Sequence, residues 1–240
     1  MAGALQIRRA EAATQLILNR PAKANALTFE LVEDLIKAVE TALRDGTRLL
    51  VLRGEGKNFC GGFDFSDFEQ QSDGDLLHRF VRLELLLQAL YHAPIATLAL
   101  CHGGTYGAGA DLVAACDRRV AAPDTTFRMP GLRFGIALGT RRLAHRIGAD
   151  HALEILASSR VFDAQEARRI GLVGIISALD TWGDIVRDVA TGLKLDAGAA
   201  SLLKSRVQTD TRAADLAALV ESAAAPGLKA RIRAFRSAKG

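Results

Sequence analysis

The sequence predicts an α/β domain, and three observations carry that reading. Short apolar runs of strand length, residues 13–18, 49–52 and 95–100, are separated by segments with helical periodicity. The runs at 49–52 and 95–100 each lead into a glycine-rich turn, where the absence of a Cβ lets backbone approach backbone or ligand closely. Hydrophobic residues make up 49% of the 240 residues and charged residues 24%, enough apolar mass for a substantial core and too much for disorder.

Taken in order, ATQLIL (13–18) is the first strand, ended by Asn19-Arg20-Pro21. Thr28 caps a helix whose Leu31, Leu35, Val39 and Leu43 recur every four positions, and Arg44-Asp45-Gly46 stops it. Residues 49–52 form the next strand and open into KNFCGGFDFSDF (57–68). Residues 66–75, polar with an acidic excess, are expected to be a flexible loop beside the site. A helix over 76–91 has a broad apolar face including Leu77, Phe80, Val81 and Leu85, and ends before Pro94. The strand at 95–100 enters CHGGTYGAGADLVAACD (101–117), in which ADLVAAC opens a helix. Such a helix start carries unpaired N–H groups and suits an oxygen gaining negative charge.

Residues 118–122 and 126–127 continue the sheet, and 139–158 hold two helical segments broken at Gly148. Asp163-Ala164-Gln165-Glu166 has capping-box spacing, with Gly171 at the position of a C-terminal cap. From Thr181 the chain is helical and rich in Ala, Leu and Arg, with Pro226-Gly227 a break before a basic last segment. The organisation expected is a core over residues 1–185 and a helical extension over 186–240, in one structural unit.

The net charge of +4 suits an anionic ligand. The helix from Thr28 mixes Glu30, Glu33, Asp34 and Glu40 with Lys37 and offers no basic stripe for nucleic acid. No run approaches a membrane span, and the first residues lack a leader pattern. Cys60, Cys101 and Cys116 have no metal-site spacing and read as reduced thiols of a cytoplasmic protein; no metal site is expected.

The two glycine-rich turns resemble those of the enoyl-CoA hydratase/isomerase (crotonase) family. Its F-C-x-G-x-D is matched by Phe59-Cys60-Gly61-Gly62-Phe63-Asp64, its strand-end N-G by His102-Gly103, and its G-G-G-x-E-L-x-x-x-C-D by the stretch from Gly107 to Asp117. Leu-Asn-Arg-Pro at 18–21, Asn-Ala-Leu at 25–27 and the segment 161–173 match further family patterns, so the resemblance runs from about Leu16 to Phe235. It implies a spiral of repeated ββα units with a helical C-terminal trimerisation region, assembled as a homotrimer or hexamer. It also implies an acyl-coenzyme A thioester as substrate, no tightly bound cofactor, and chemistry through an enolate held by two backbone donors.

Carried over residue by residue, those donors are the N–H groups of Phe63 and Ala108, the latter a departure from the usual glycine. Asp111 falls at the first of the two hydratase glutamates, a methylene shorter. Gly131 falls at the second, where no side-chain proton chemistry is available. The segment after it is shortened, with Ile136-Ala137-Leu138-Gly139-Thr140 in place of a longer glycine-rich run. The resemblance assigns the coenzyme A and substrate path to Lys23, Ala24, Ala26, Gly62, Asp64, Phe65, Tyr106, Gly107, Gly131 and Phe235, with Arg20 or Lys23 meeting a phosphate.

Other polar residues weighed for proton transfer or binding are Asp67 and His78 beside the loop, Tyr106, and Arg128, either pairing with Asp111 or holding a carboxylate. His102 is expected to fix its turn, and Arg133 is a weaker pointer. Asp111 is the foremost catalytic candidate. The alternatives are another thioester reaction (isomerisation, decarboxylation or hydrolysis) and a non-catalytic acyl-CoA binder, which Gly131 favours.

Overall fold

Alternation along the central strands buries both faces of one sheet. A computed structural model describes residues 3–10 and 12–238; residues 1, 2, 11, 239 and 240, which the two expected spans include, lie outside the described residues. Six strands pair in the order β1 (Leu5–Ala10), β2 (Ala13–Leu18), β3 (Leu49–Gly54), β4 (Ala96–Cys101), β6 (Arg118–Ala121) and β9 (Ile175–Ile176). β1 is antiparallel to β2 and the remaining pairs are parallel. Successive side chains of a strand point to opposite faces. Leu50 and Leu52 therefore enter one core, with Leu16, Leu31, Leu35 and Leu83, while Leu49 and Val51 enter a second with Leu98, Leu100 and Trp182. Burial on both faces explains why these strands read as unbroken apolar runs.

A second, three-stranded sheet joins β5 (Gly104–Tyr106), β7 (Thr126–Arg128) and β8 (Phe162–Asp163). Single parallel bridges Leu27–Phe63 and Cys60–Thr105 continue this inner layer toward the N-terminus. Each turn of the chain thus supplies an outer strand, an inner extended segment and a helix. The helices in these turns are α1 (Phe29–Ala42), α2 (Asp73–Tyr91), α3 (Ala108–Ala115) and α4 (Thr140–Ile147). This is the ββα spiral that the resemblance implies.

The helix ends follow local chemistry. Thr28 Oγ1 accepts from Leu31 N, and Gly148 separates α4 from α5 (Ala149–Ser158). Asp163 caps α6 (Ala164–Arg169). Gly171 N and Leu172 N then close back onto Arg168 and Ala167 carbonyls, as a Schellman end requires. The stretch expected to be a flexible loop is more ordered than that. Phe68–Gln70 makes a 3-10 turn and α2 begins at Asp73, because Ser72 and Asp75 form a reciprocal capping box.

The expected boundary at residue 185 falls inside α7 (Trp182–Thr191), whose Ile185, Val186 and Val189 pack on the outer face of the large sheet. α8 (Ala197–Val207) buries none of its residues, α9 (Arg212–Ala224) packs on α2, and α10 (Leu228–Ser237) turns back over the core. Among the described residues no helix is long and apolar enough to cross a membrane.

Candidate active site

The inner layer ends in a cavity of about 440 Å³ between the two glycine-rich turns, α2, the 131–140 segment and α10. The turns are pressed together at two glycines. Gly62 has φ +91°, and a Cβ there would lie 2.6 Å from the Tyr106 carbonyl oxygen and 3.3 Å from Ala108 N. A Cβ on Gly109 would lie 2.4 Å from the Cys60 carbonyl oxygen. Side chains at either position would force the turns apart.

Backbone pairing leaves two amides of residues lining this cavity without a protein acceptor. In the Leu27–Phe63 bridge, Leu27 N donates to Gly62 O and Asp64 N donates to Leu27 O, so residue 63 itself faces the other way. Ala108 is the first residue of α3, where an N–H has no partner within the helix. Both residues line the cavity, and neither amide donates to another described protein atom. Alanine in place of glycine at 108 is readily accommodated: the left-handed φ of +52° falls on Gly107, and Ala108 has entered the helix, where alanine is favoured.

Asp111 lies one turn along α3, is buried, and lines the same cavity. Its backbone N–H bonds Gly107 O, while its Oδ1 has no hydrogen-bond partner. Burial pushes its carboxyl well above the ordinary aspartate range; Arg142 opposes that shift and Glu84 adds to it. Arg142 cannot quench Asp111, because its guanidinium pairs with both oxygens of Glu84 and, at 3.1 Å, with Asp215. The opposite wall has closed over the other expected carboxylate position. A Cβ on Gly131 would sit 2.9 Å from Ile136 O, and Ile136 N donates back to Gly131 O at 3.0 Å.

The remaining wall is aromatic and aliphatic. Phe63 stacks on Phe80 with ring centroids 4.4 Å apart, Phe65 lies edge-on to Phe134, and Phe134 meets Phe235 at 4.9 Å. Phe235 arrives on α10, which its own chain holds down. Arg231 donates to the carbonyls of Phe134 and Gly135, Arg236 to that of Phe65, and Arg233 pairs with Glu69. The basic tail is therefore spent largely on intrachain contacts. Phe80 was legible only as part of an apolar helix face and Thr140 only as part of the shortened segment, while Phe134, which also lines the cavity, carries no signal in the sequence reading.

Of the residues expected along the ligand path, Gly62, Phe65, Tyr106, Gly107, Gly131 and Phe235 line the cavity. Lys23, Ala24, Ala26 and Asp64 stand outside that lining. Lys23 is exposed, Ala24 O accepts from Gly61 N at 2.7 Å, and Ala26 O accepts from Arg20. Asp64 pairs with Arg20 at 2.7 Å, so both are structural ties between the first two turns. Burial raises the Asp64 carboxyl, but hydrogen bonds from Ser66 and the Arg20 charge outweigh it and hold it below the usual range.

Arg128 does not reach Asp111; its Nε donates to Ser159 O. Asp67 pairs with Arg79, His78 is an exposed neighbour of Phe29, and Arg133 lies over the Phe235 ring. His102 Nε2 bonds Gly56 O at 2.8 Å and fixes its turn, and Tyr106 Oη bonds Thr126. Cys60, Cys101 and Cys116 are free and buried, and burial raises all three thiols, Cys60 and Cys116 to about 12. Among the described residues no group of His, Cys, Asp and Glu is arranged to hold a metal ion.

Comparison with known proteins gives these features a context. Residues 8–225 match the sequence profile of the enoyl-CoA hydratase/isomerase family. A Mycobacterium tuberculosis protein named probable enoyl-CoA hydratase echA6 is 34% identical over 176 residues, covering 72% of this chain and 70% of its own. The peroxisomal Delta(3,5)-Delta(2,4)-dienoyl-CoA isomerase of Arabidopsis thaliana is 29% identical over 231 residues, 87% of this chain and 83% of its own. Among crystal structures, a Bordetella parapertussis protein assigned to enoyl-CoA hydratase/isomerase is 51% identical, covers 98% of both chains and superposes with a TM-score of 0.95.

Proposed function

This chain belongs to the enoyl-CoA hydratase/isomerase family, and from that premise we propose that it moves protons next to the carbonyl of an acyl-coenzyme A thioester. The thioester oxygen sits between the N–H groups of Phe63 and Ala108, which stabilise the enolate formed when a proton leaves the α-carbon or a nucleophile adds at the β-carbon. Asp111 carries the proton. Its ionised form accepts it, and its neutral form, favoured by the apolar surroundings, returns it to carbon. Gly131 leaves the reaction one carboxyl short of the two-glutamate hydratase pattern, so a single group both takes and gives back the proton.

What supports this reading is that one cavity is lined by Phe63 and Ala108, whose amides have no protein acceptor, and by Asp111, whose buried Oδ1 has no donor. A binder without chemistry has no use for an unpaired buried carboxyl, which is costly to keep. The proposal includes a coenzyme A substrate that is not retained as a cofactor, and a trimer or hexamer. Leu202, Leu203 and Val207, more than half exposed on α8, offer that assembly an apolar face.

Exchange of α-hydrogens tests the reading without presupposing a product. Butanoyl-CoA incubated with the enzyme in deuterium oxide is expected to gain deuterium at the α-carbon, and Asp111→Asn is expected to abolish the gain. Exchange undiminished in that variant removes Asp111 from the reaction. No exchange or turnover with any acyl-CoA leaves the non-catalytic binder.

A further inference from the structure

Among the described residues that line the cavity, Asp111 and Arg128 carry the charged side chains. The proposed chemistry employs the first and gives the second no part. Arg128 is half-buried, and its Nε donates to Ser159 O at 2.8 Å. Leu156 and Val161, on either side of Ser159 in the chain, also line the cavity, so the guanidinium is anchored along this apolar wall. Neither of its terminal amino groups has a protein partner, and neither is among the fully buried atoms left unpaired, so both stay open to a ligand. Other arginines around the site are spent within the chain: Arg79 on Asp67 and on Asp64 O, Arg142 on Glu84, Arg231 on carbonyls. A guanidinium with free N–H groups and no carboxylate of its own fits a carboxylate ligand, which it can hold through two parallel bonds.

We infer that Arg128 holds a carboxylate at the far end of the substrate's acyl group, so that the preferred thioester is that of a short dicarboxylic acid. The inference deepens the proposed function and rests on it. Strand register places the arginine. Arg128 stands opposite Tyr106 in the β5–β7 pair, and its carbonyl accepts from Gly107 N at 2.7 Å, one residue before the Ala108 amide proposed as an oxyanion donor. Paired strands lie about 4.8 Å apart, so the side chain springs from a point close to the reacting carbonyl. The phosphates of coenzyme A are separated from that carbonyl by the whole pantetheine arm. The anion within reach is therefore one carried on the acyl group, a few carbons beyond the thioester. The lining next to Arg128 includes Met129, Pro130, Leu156 and Val161, so a neutral acyl chain would cover the cation without supplying a counter-charge.

Calorimetric affinities for glutaryl-CoA and pentanoyl-CoA, equal in carbon number, test this, with α-deuterium uptake by both thioesters measured in parallel. The parent is expected to bind glutaryl-CoA at least about tenfold more tightly, the worth of a charged hydrogen-bonded pair. Arg128→Met is expected to abolish that preference while leaving the pentanoyl-CoA affinity within about twofold of the parent, which also shows an intact cavity. Arg128→Lys keeps the charge without the planar fork and is expected to retain part of the preference. A parent without the preference overturns the inference, as does a preference that survives in Arg128→Met. So does an equal loss for both thioesters, which would put the arginine on the coenzyme they share or in the fold alone. Absence of deuterium uptake from both thioesters overturns the proposed function, whereas the carboxylate site stands or falls on the affinities.

Discussion

Asp111 and Glu84 are buried almost equally, 4% and 1% exposed, on the neighbouring helices α3 and α2, yet their surroundings differ in kind. Glu84 lies at a junction of three helices. Both its oxygens accept from Arg142 on α4, Gln88 adds a further bond, and the same arginine reaches Asp215 on α9, itself bonded by Thr211 and Arg141. Asp111, at the cavity wall, has Oδ1 unpaired and a carboxyl pushed up by burial. A buried charge that is paired and bonded ties elements together, whereas one left unpaired is retained against its cost to folding. The contrast sets a carboxylate tied into a helix junction beside one left unpaired at the cavity wall, within a single patch of the core.

The largest expected effect breaks the comparison at its cavity end. Asp111→Asn should lower turnover about 10²- to 10⁴-fold, the usual worth of a positioned acid or base, while raising thermal stability. The sign follows from the raised folded-state pKa. Below the unfolded value of about 3.9 the carboxyl is neutral in both states. As pH rises, the unfolded chain ionises first and the parent loses stability until the folded carboxyl also ionises. The melting-temperature advantage of the variant should therefore be smallest near pH 4 and grow with pH. Catalysis in the parent should rise with pH as Asp111 ionises, from well above the ordinary aspartate range.

Arg142→Met should give the opposite outcome, a loss of about 3–5 kcal/mol in denaturant unfolding, because Glu84 and Asp215 are left buried without their shared cation. Gly139→Ala sharpens the contrast. Its φ of +66° and the collision with Asp111 Oδ1 should cost about 1–3 kcal/mol. Its effect on turnover should largely vanish when measured in the Asp111→Asn background, since neighbouring changes couple. At the rim of the junction, Arg141→Ala should cost no more than about 1 kcal/mol, the Arg141 side chain being half exposed in its pair with Asp215.

The sequence announces some of this and conceals the rest for physical reasons. Strands β2, β3 and β4 were legible because burial on both faces writes continuous apolar runs, whereas β6 opens on an exposed Arg118 and was read only as continuing the sheet. β1 was not legible, since an edge strand with exposed Ile7, Arg8 and Arg9 carries no such pattern. β5 reads as a turn because Gly104-Thr105-Tyr106 is too short for periodicity, and its pairing with β7 is non-local. Phe63, Ala108 and Asp111 were legible through the two motifs. Thr140 was not, because its place in the cavity lining is a property of three-dimensional packing and leaves no local mark. Lys23, Ala24 and Ala26 stand outside the cavity lining for a related reason. Their segment is tied by Gly61 N, Arg20 and Asn25 into the turn itself.

A crystal structure with an acyl-CoA bound is expected to place the thioester oxygen about 3 Å from both Phe63 N and Ala108 N, with the Asp111 carboxyl facing the α-carbon. A thioester seated elsewhere, or bound with its oxygen turned away from those two amides, would contradict the proposed function.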